Sequence, residues 1–399
     1  MTIIQWATSA GFINFGLLLC ANAILSTTLP MMIVLGGLAG LLLAPTPSLA
    51  TLATSVSTFA GLLAAAPLSL LMGLYGRQAG FVLGAAFAAA GGTAALIGMM
   101  QSSFLLLLTG HFLIGAALAG FQFFRFAAAE VVPTRWRSVA ISLMLTSGLI
   151  AALVGPELFA RTKDALAPIP FAGAYAAIIG LAVIGTVPLL LLRGLGQMPM
   201  VKDTAYPKLD VSAVVRRRAI AGAIFAGAIS QGVMVLLMVP TPIVMISCGF
   251  DADTGASVVG WHVVAMFAPS FVTGFLIKRF GAAAIVYAGL TLLAVAALIA
   301  AAGLTLSHFY FSLIVLGVGW NFGFIGATSL LTDALAPEER ASIQGINDTA
   351  IALASAAAAF ASGALVASFS WTVLTLSSVP IIAAAAFMLL WVGRGPKAA

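Results

Sequence analysis

The feature that most constrains this chain is a succession of apolar runs, each about as long as a bilayer is thick, separated by short polar or Gly/Pro breaks. A helix needs roughly 20 apolar residues to cross about 30 Å of hydrocarbon. Runs of that kind occupy 10–43, 48–74, 81–100, 104–129, 138–160 and 171–192. After a polar stretch from Arg193 to Arg218 they resume at 219–247, 255–277, 282–305, 309–332, 342–367 and 371–393. Twelve such helices nearly exhaust the 399 residues and leave little for an extramembrane domain. Composition agrees, because 62% of residues are hydrophobic and only 7% charged, whereas a soluble domain carries roughly a quarter charged residues. A water-soluble fold is excluded, and the sequence predicts an all-α, multi-pass membrane protein with twelve transmembrane helices.

Charge then sets the topology. With the N-terminus in the cytoplasm, Arg77, Arg135, Arg137, Arg193, Lys202, Lys208, Arg216, Arg217, Arg218, Lys278, Arg279, Arg340, Arg394 and Lys397 fall inside, and only Arg161 and Lys163 fall outside. The positive-inside rule predicts that asymmetry, and an odd number of helices before the central loop would destroy it. Both termini are therefore expected in the cytoplasm of a cell with an inner membrane. The net charge of +6 gives no nucleic-acid partner, since the basic residues lie in short loops between apolar runs. No Lys or Arg precedes Arg77, so the basic start of a cleaved signal peptide is missing and the first run is expected to persist. Cys20 and Cys248 show neither metal-ligand spacing nor a disulfide framework. Pro30 is expected to kink the first helix, and Pro240-Thr241-Pro242 either hinges the seventh or ends it.

The two halves answer each other. Ser69-Leu-Leu-Met-Gly73-Leu-Tyr-Gly76-Arg77 after the second run is matched by Gly274-Phe-Leu-Ile-Lys278-Arg279-Phe-Gly281 after the eighth. Glu130-Val-Val-Pro133-Thr-Arg-Trp-Arg137 after the fourth is matched by Asp333-Ala-Leu-Ala-Pro337-Glu-Glu-Arg340 after the tenth. Both pairs share an offset of about 204 residues, as a duplicated unit requires. The expected division is a bundle of six helices over 1–192, a cytoplasmic linker over 193–218 and a second bundle over 219–399.

These motifs resemble the signature of the major facilitator superfamily, Gly-x-Leu-Ala-Asp-Arg-x-Gly-Arg between the second and third helices. The second-half copy keeps Gly274, Leu276, Arg279 and Gly281; the first-half copy keeps Leu71, Gly76 and Arg77, with Ser69 and Gly73 at the Gly and Asp positions. The resemblance implies two pseudo-symmetric six-helix bundles around a cavity lined by helices one, four, seven and ten, working by alternating access. A narrower likeness, to bacterial members, lies in Arg125-Phe-Ala-Ala-Ala-Glu130 and in the Trp261-His262 stretch of helix eight. Gly155-Pro156 resembles part of an element of drug/proton antiporters.

Ionisable groups inside hydrocarbon cost several kcal/mol unless paired or hydrated, so they are weighed first. His111, Leu118, Gln122 and Arg125 are spaced to share one face of helix four. Arg125, between Phe124 and Phe126, either clamps a substrate or pairs with Glu130 as a gate latch. His111 serves proton coupling, a substrate hydrogen bond or an interhelical one. Asn14, Asn22, Gln231, Trp320 and Asn321 supply neutral or aromatic groups for the cavity, or equally pack helices. Glu157 and Asp348 are candidates for protonation or gating, and His262 for a gate or for packing. Arg77, Glu130, Arg137, Lys278, Arg279, Asp333 and Arg340 form the paired cytoplasmic gate motifs.

No Walker loop, His-Glu-x-x-His or Gly-x-Ser-x-Gly element occurs, which speaks against an ATP-driven pump and an intramembrane enzyme. No repeated pore filter marks a channel, and a static receptor or complex subunit has no need of two gate motifs. No cofactor or metal is expected, and the chain is expected to act as a monomer. Its partners are the bilayer, a small-molecule substrate and, through His111, Glu157 and Asp348, protons. The resemblance points to uptake of a small planar nutrient, with riboflavin first, or to proton-driven efflux of drugs or metabolites.

Overall fold

Hydrocarbon offers backbone groups no water, so a lipid-crossing segment of this composition must satisfy its own hydrogen bonds as helix. The computed structural model describes residues 10–133, 136–193, 211–336 and 339–393, and among these there is helix and no strand. The first half comprises α1a (Ala10–Ser26) and α1b (Thr28–Leu43), α2 (Leu52–Tyr75), α3 (Arg77–Met100), α4a (Phe104–Phe121) and α4b (Phe124–Val131), α5 (Arg137–Thr162) and α6 (Ala172–Leu190). A short helix, Val211–Val215, precedes α7a (Arg218–Met238) and α7b (Thr241–Ser247), α8a (Ala252–Phe267) and α8b (Ser270–Phe280), α9 (Ala282–Ala302), α10 (Leu306–Ala334), α11 (Arg340–Ser368) and α12 (Trp371–Gly393). Ten of these spans are long and apolar enough to cross a bilayer, and α8a with α8b, bent by 40°, makes an eleventh. The 26-residue α5 takes the remaining place in the expected series of twelve. Residues 194–210 of the expected linker lie outside the described residues.

Three of the four breaks follow from proline chemistry. A proline lacks the N–H that would bond the carbonyl four residues back, and its ring crowds that carbonyl. Pro30 acts on Ser26, and α1 breaks at Thr27, whose hydroxyl bonds the Ala23 carbonyl at 2.9 Å. Pro242 acts on Met238, the last residue of α7a, and the helix resumes at Thr241 rather than ending. Pro269 bends α8 between Phe267 and Ser270. The fourth break, at Gln122–Phe123, has no proline; Phe123 N–H bonds Gly120 O at 3.1 Å, a tightened turn. That turn lets both Phe121 and Phe124 pack near Phe81, with Phe124 stacked on Phe81 at 4.1 Å between centroids. Pro67, Pro156, Pro188 and Pro380 sit inside helices that continue through them.

The chain divides into two compact units, Met1–Lys202 with Ala252–Gly260, and Asp203–Asp251 with Trp261–Ala399. Their internal packing maps correspond. In the first, α3 packs on α4a and α6, and α1a packs on α5 and α6. In the second, α9 packs on α10 and α12, and α7a packs on α11 and α12. The tightest pair in each is joined through glycine. Lipid tails supply no hydrophobic force between helices, so close backbone approach carries the association. A Cβ on Gly110 of α4a would stand 2.5 Å from the Gly91 oxygen of α3, and one on Gly289 of α9 would stand 2.3 Å from the Gly323 nitrogen of α10.

Gly110→Ala should therefore destabilise the protein by about 1–3 kcal/mol, the usual cost of overpacking. In detergent this reads as a melting temperature several degrees lower, while Gly180→Ala, with no neighbouring atom within 4 Å, should leave it unchanged.

Candidate functional site

The last four carbonyls of any helix lack an intrahelical partner, and in a bilayer they must find one elsewhere. Three polar side chains meet that need across helices, and Asn14 makes a like contact to the chain past a helix end. Asn14 of α1a both donates to the Arg193 carbonyl at 2.6 Å and accepts from the Arg193 N–H at 3.0 Å, just beyond α6. Gln78 donates to Leu189 O at 2.9 Å in the last turn of α6. Trp371 donates to Ala300 O at 2.9 Å in the last turn of α9. Asn321 of α10 is used most fully. Its amide nitrogen donates to Met266 O and Ser270 Oγ, and its oxygen accepts from Thr273 Oγ1, all at 2.7 Å. Asn321 thus braces the α8 bend and keeps no group for a ligand.

Asn22 is similarly committed. Its amide nitrogen reaches Ser147 Oγ at 2.6 Å and Met144 O at 3.2 Å on α5, and its oxygen accepts from Ser26 at 3.0 Å. His111 is fully buried, with Nε2 2.9 Å from the Tyr175 hydroxyl of α6. The break in α4 separates it from the rest of its expected face: Gln122 is exposed and Arg125 half-buried, its guanidinium 4.8 Å from the Phe126 ring centre. The continuous stripe read from the spacing of His111, Gln122 and Arg125 is interrupted, because α4 breaks between Phe121 and Phe124.

The charged motifs also separate. Glu130 meets Arg77 of α3 in a bidentate pair, 2.7 Å and 3.2 Å, rather than the neighbouring Arg125. The expected Arg125–Glu130 latch is corrected accordingly: Arg77 is buried and brings its fork to the carboxylate, as planar guanidinium geometry favours. In the second half Lys278, Arg279 and Asp333 are exposed, and no ion pair joins them among the described residues. The side chains of Arg137 and Arg340 lie outside the described residues. Glu157 is exposed and pairs with Arg161 one turn on, and exposed Asp348 accepts from Asn347. Glu339, which carried no expectation, pairs with Arg217 and accepts from Ala336 N–H at 3.0 Å. The Arg217 hydrogen bond, then the Ala336 one, hold its carboxyl below the usual range.

His262 is fully buried, and its Nδ1 lies 2.7 Å from Leu313 O. A carbonyl only accepts, so Nδ1 carries the proton. Nε2 has no partner among the described residues, nor has Nδ1 of His111. On α7a and α10, Trp320 Nε1 donates to Gln231 Oε1 at 2.6 Å, with Phe324 stacked on the indole at 5.0 Å and Phe267 edge-on at 6.1 Å. A separate apolar cavity of about 520 Å³ at Trp261, Leu306, Tyr310 and Phe311 holds none of the expected cavity residues. No cluster of His, Cys, Asp or Glu able to hold a metal occurs among the described residues.

Residues 223–399 match the Major Facilitator Superfamily. The chain is 37% identical over 373 residues to the riboflavin transporter RfnT of Brucella anthropi, covering 93% of each. It is 30% identical over 364 residues to the uncharacterized MFS-type transporter YddS of Bacillus subtilis, covering 87% of this chain and 83% of that one. Among solved structures, a POT family transporter in complex with 5-aminolevulinic acid gives a TM-score of 0.76 at 12% identity over 95% of both chains. A D-xylose-proton symporter gives 0.74 at 14% identity over 95% of this chain and 97% of that one. The chain belongs to the major facilitator superfamily and is a multi-pass membrane transporter.

Asn321→Leu would leave the Met266 carbonyl unsatisfied within hydrocarbon. It should cost about 1–3 kcal/mol, seen as a clear fall in melting temperature; an unchanged value would contradict the bracing role.

Proposed function

We propose that this protein carries riboflavin into the cell across the inner membrane by alternating access. The observation that carries the proposal is the 37% identity to the riboflavin transporter RfnT over 93% of both chains. The chemistry of the polar groups supports it. Riboflavin is a neutral, planar ring system with an uncharged polyol chain, and its binding needs stacking surfaces and neutral hydrogen-bonding groups rather than a counter-ion. Gln231, Trp320 and Phe324 offer that combination, whereas Asn14, Asn22 and Asn321 are spent on interhelical bonds.

In this reading a six-helix bundle over 1–192 and another over 219–399, joined through 193–218, alternate access in a monomer, with both termini in the cytoplasm. Arg77 with Glu130, and Lys278, Arg279, Asp333 and the Arg137 and Arg340 positions, act at the cytoplasmic gate. Protons drive accumulation, and the ring nitrogens of His111 and His262 that have no partner among the described residues supply the acceptor sites.

Expression in a riboflavin-auxotrophic bacterium that lacks an importer should restore growth on low external riboflavin. No rescue despite verified membrane expression would overturn the substrate assignment. A protonophore should reduce initial uptake of labelled riboflavin several-fold in energised cells; uptake unaffected by it would remove protons from the account and leave facilitated diffusion.

A further inference from the structure

Within the second unit, one hydrogen bond fixes the chemical identity of a recognition surface. Indole Nε1 is a donor and nothing else. The Gln231 atom 2.6 Å from Trp320 Nε1 must therefore be the amide oxygen, so the amide's orientation follows from chemistry. The amide nitrogen is left with two N–H groups, and no hydrogen bond from it occurs among the described residues. Gln231 is only half-buried, and so are Phe324 and Phe267, the two rings against Trp320. The surface is thus an aromatic platform with two amide N–H donors beside it.

We infer that Gln231 is the specificity-determining residue for the ring of the substrate: the Phe324–Trp320 pair offers the stacking face, and the Gln231 amide donates to a carbonyl oxygen on the ring's edge. This deepens the flavin uptake proposed above and rests on it for the identity of the ring. With one lone pair of its oxygen taken by Trp320 and both N–H groups available, Gln231 presents mainly donors, so it favours rings that carry carbonyl acceptors. The flavin pyrimidine edge carries two carbonyls and satisfies that demand. A ring of the same size without a carbonyl would leave the amide N–H groups unpaired when desolvated, which is costly. The role is distinct from support of the fold, because Trp320 needs from Gln231 only the oxygen.

The test is equilibrium binding of lumichrome, an alloxazine that keeps both pyrimidine carbonyls of the flavin ring and lacks the polyol, to the purified full-length protein, followed by ligand fluorescence. Gln231→Met removes donors and acceptor together. Trp320→Phe removes the Trp–Gln bond but keeps an aromatic ring and both amide donors. Wild type should bind lumichrome, Gln231→Met should weaken binding about tenfold or more, and Trp320→Phe should weaken it distinctly less. Equal losses in the two variants would mean that only the Trp–Gln bond matters and would overturn the inference. So would unaltered binding in Gln231→Met, or no binding by wild type. If Gln231→Met fails to fold, Gln231→Ser, too short to reach the ring, is read in its place. Lumichrome binding without riboflavin uptake would overturn the transport reading alone, so the two failures are separable.

Discussion

Everything in this fold answers to one constraint: hydrocarbon gives no partner to a backbone carbonyl left over at a helix end or break. Breaks in α1, α7 and α8 free such carbonyls, and so does every helix terminus. The polar side chains of the interior go largely to them. Asn321 to Met266, Trp371 to Ala300 and Gln78 to Leu189 are three instances of one solution, in which a donor on a neighbouring helix closes a last turn. The same constraint favours glycine contacts such as Gly91–Gly110 and Gly289–Gly323, since close packing is what associates helices that lipid would otherwise solvate equally well.

This has a consequence for function. A polar residue deep in a transporter invites assignment to a substrate, yet most of those in these helices are already occupied. Asn321 uses its amide nitrogen twice and its oxygen once. Gln231 differs, because its oxygen accepts from Trp320 while its nitrogen has no partner among the described residues. His111 and His262 differ as well, each buried with one ring nitrogen bonded and the other without a partner among the described residues. Among the described residues of these helices, Gln231 and the two histidines are thus polar side chains whose known bonds leave a group available.

Much of the architecture was legible in the sequence because hydrophobic run length and charge asymmetry report directly on the bilayer. The prolines at 30, 242 and 269 explain three breaks from local sterics alone. The break at Gln122–Phe123 had no such marker; it accompanies the stacking of Phe124 on Phe81, a ring from another helix. Partnerships were the least legible. Glu130 stands five residues from Arg125 in sequence but meets Arg77, and Asn321, open in the sequence between lining a cavity and packing helices, braces the α8 bend. Tyr175, Gln78 and Trp371 gave no sequence signal, because nothing in their spacing names the helix opposite.

The most direct test is counterflow. Purified protein in liposomes loaded with unlabelled riboflavin is exposed to trace labelled riboflavin outside. A carrier with alternating access for this vitamin should accumulate label transiently above the equilibrium level and above protein-free liposomes. Folded, reconstituted protein that produces no such overshoot would contradict the account.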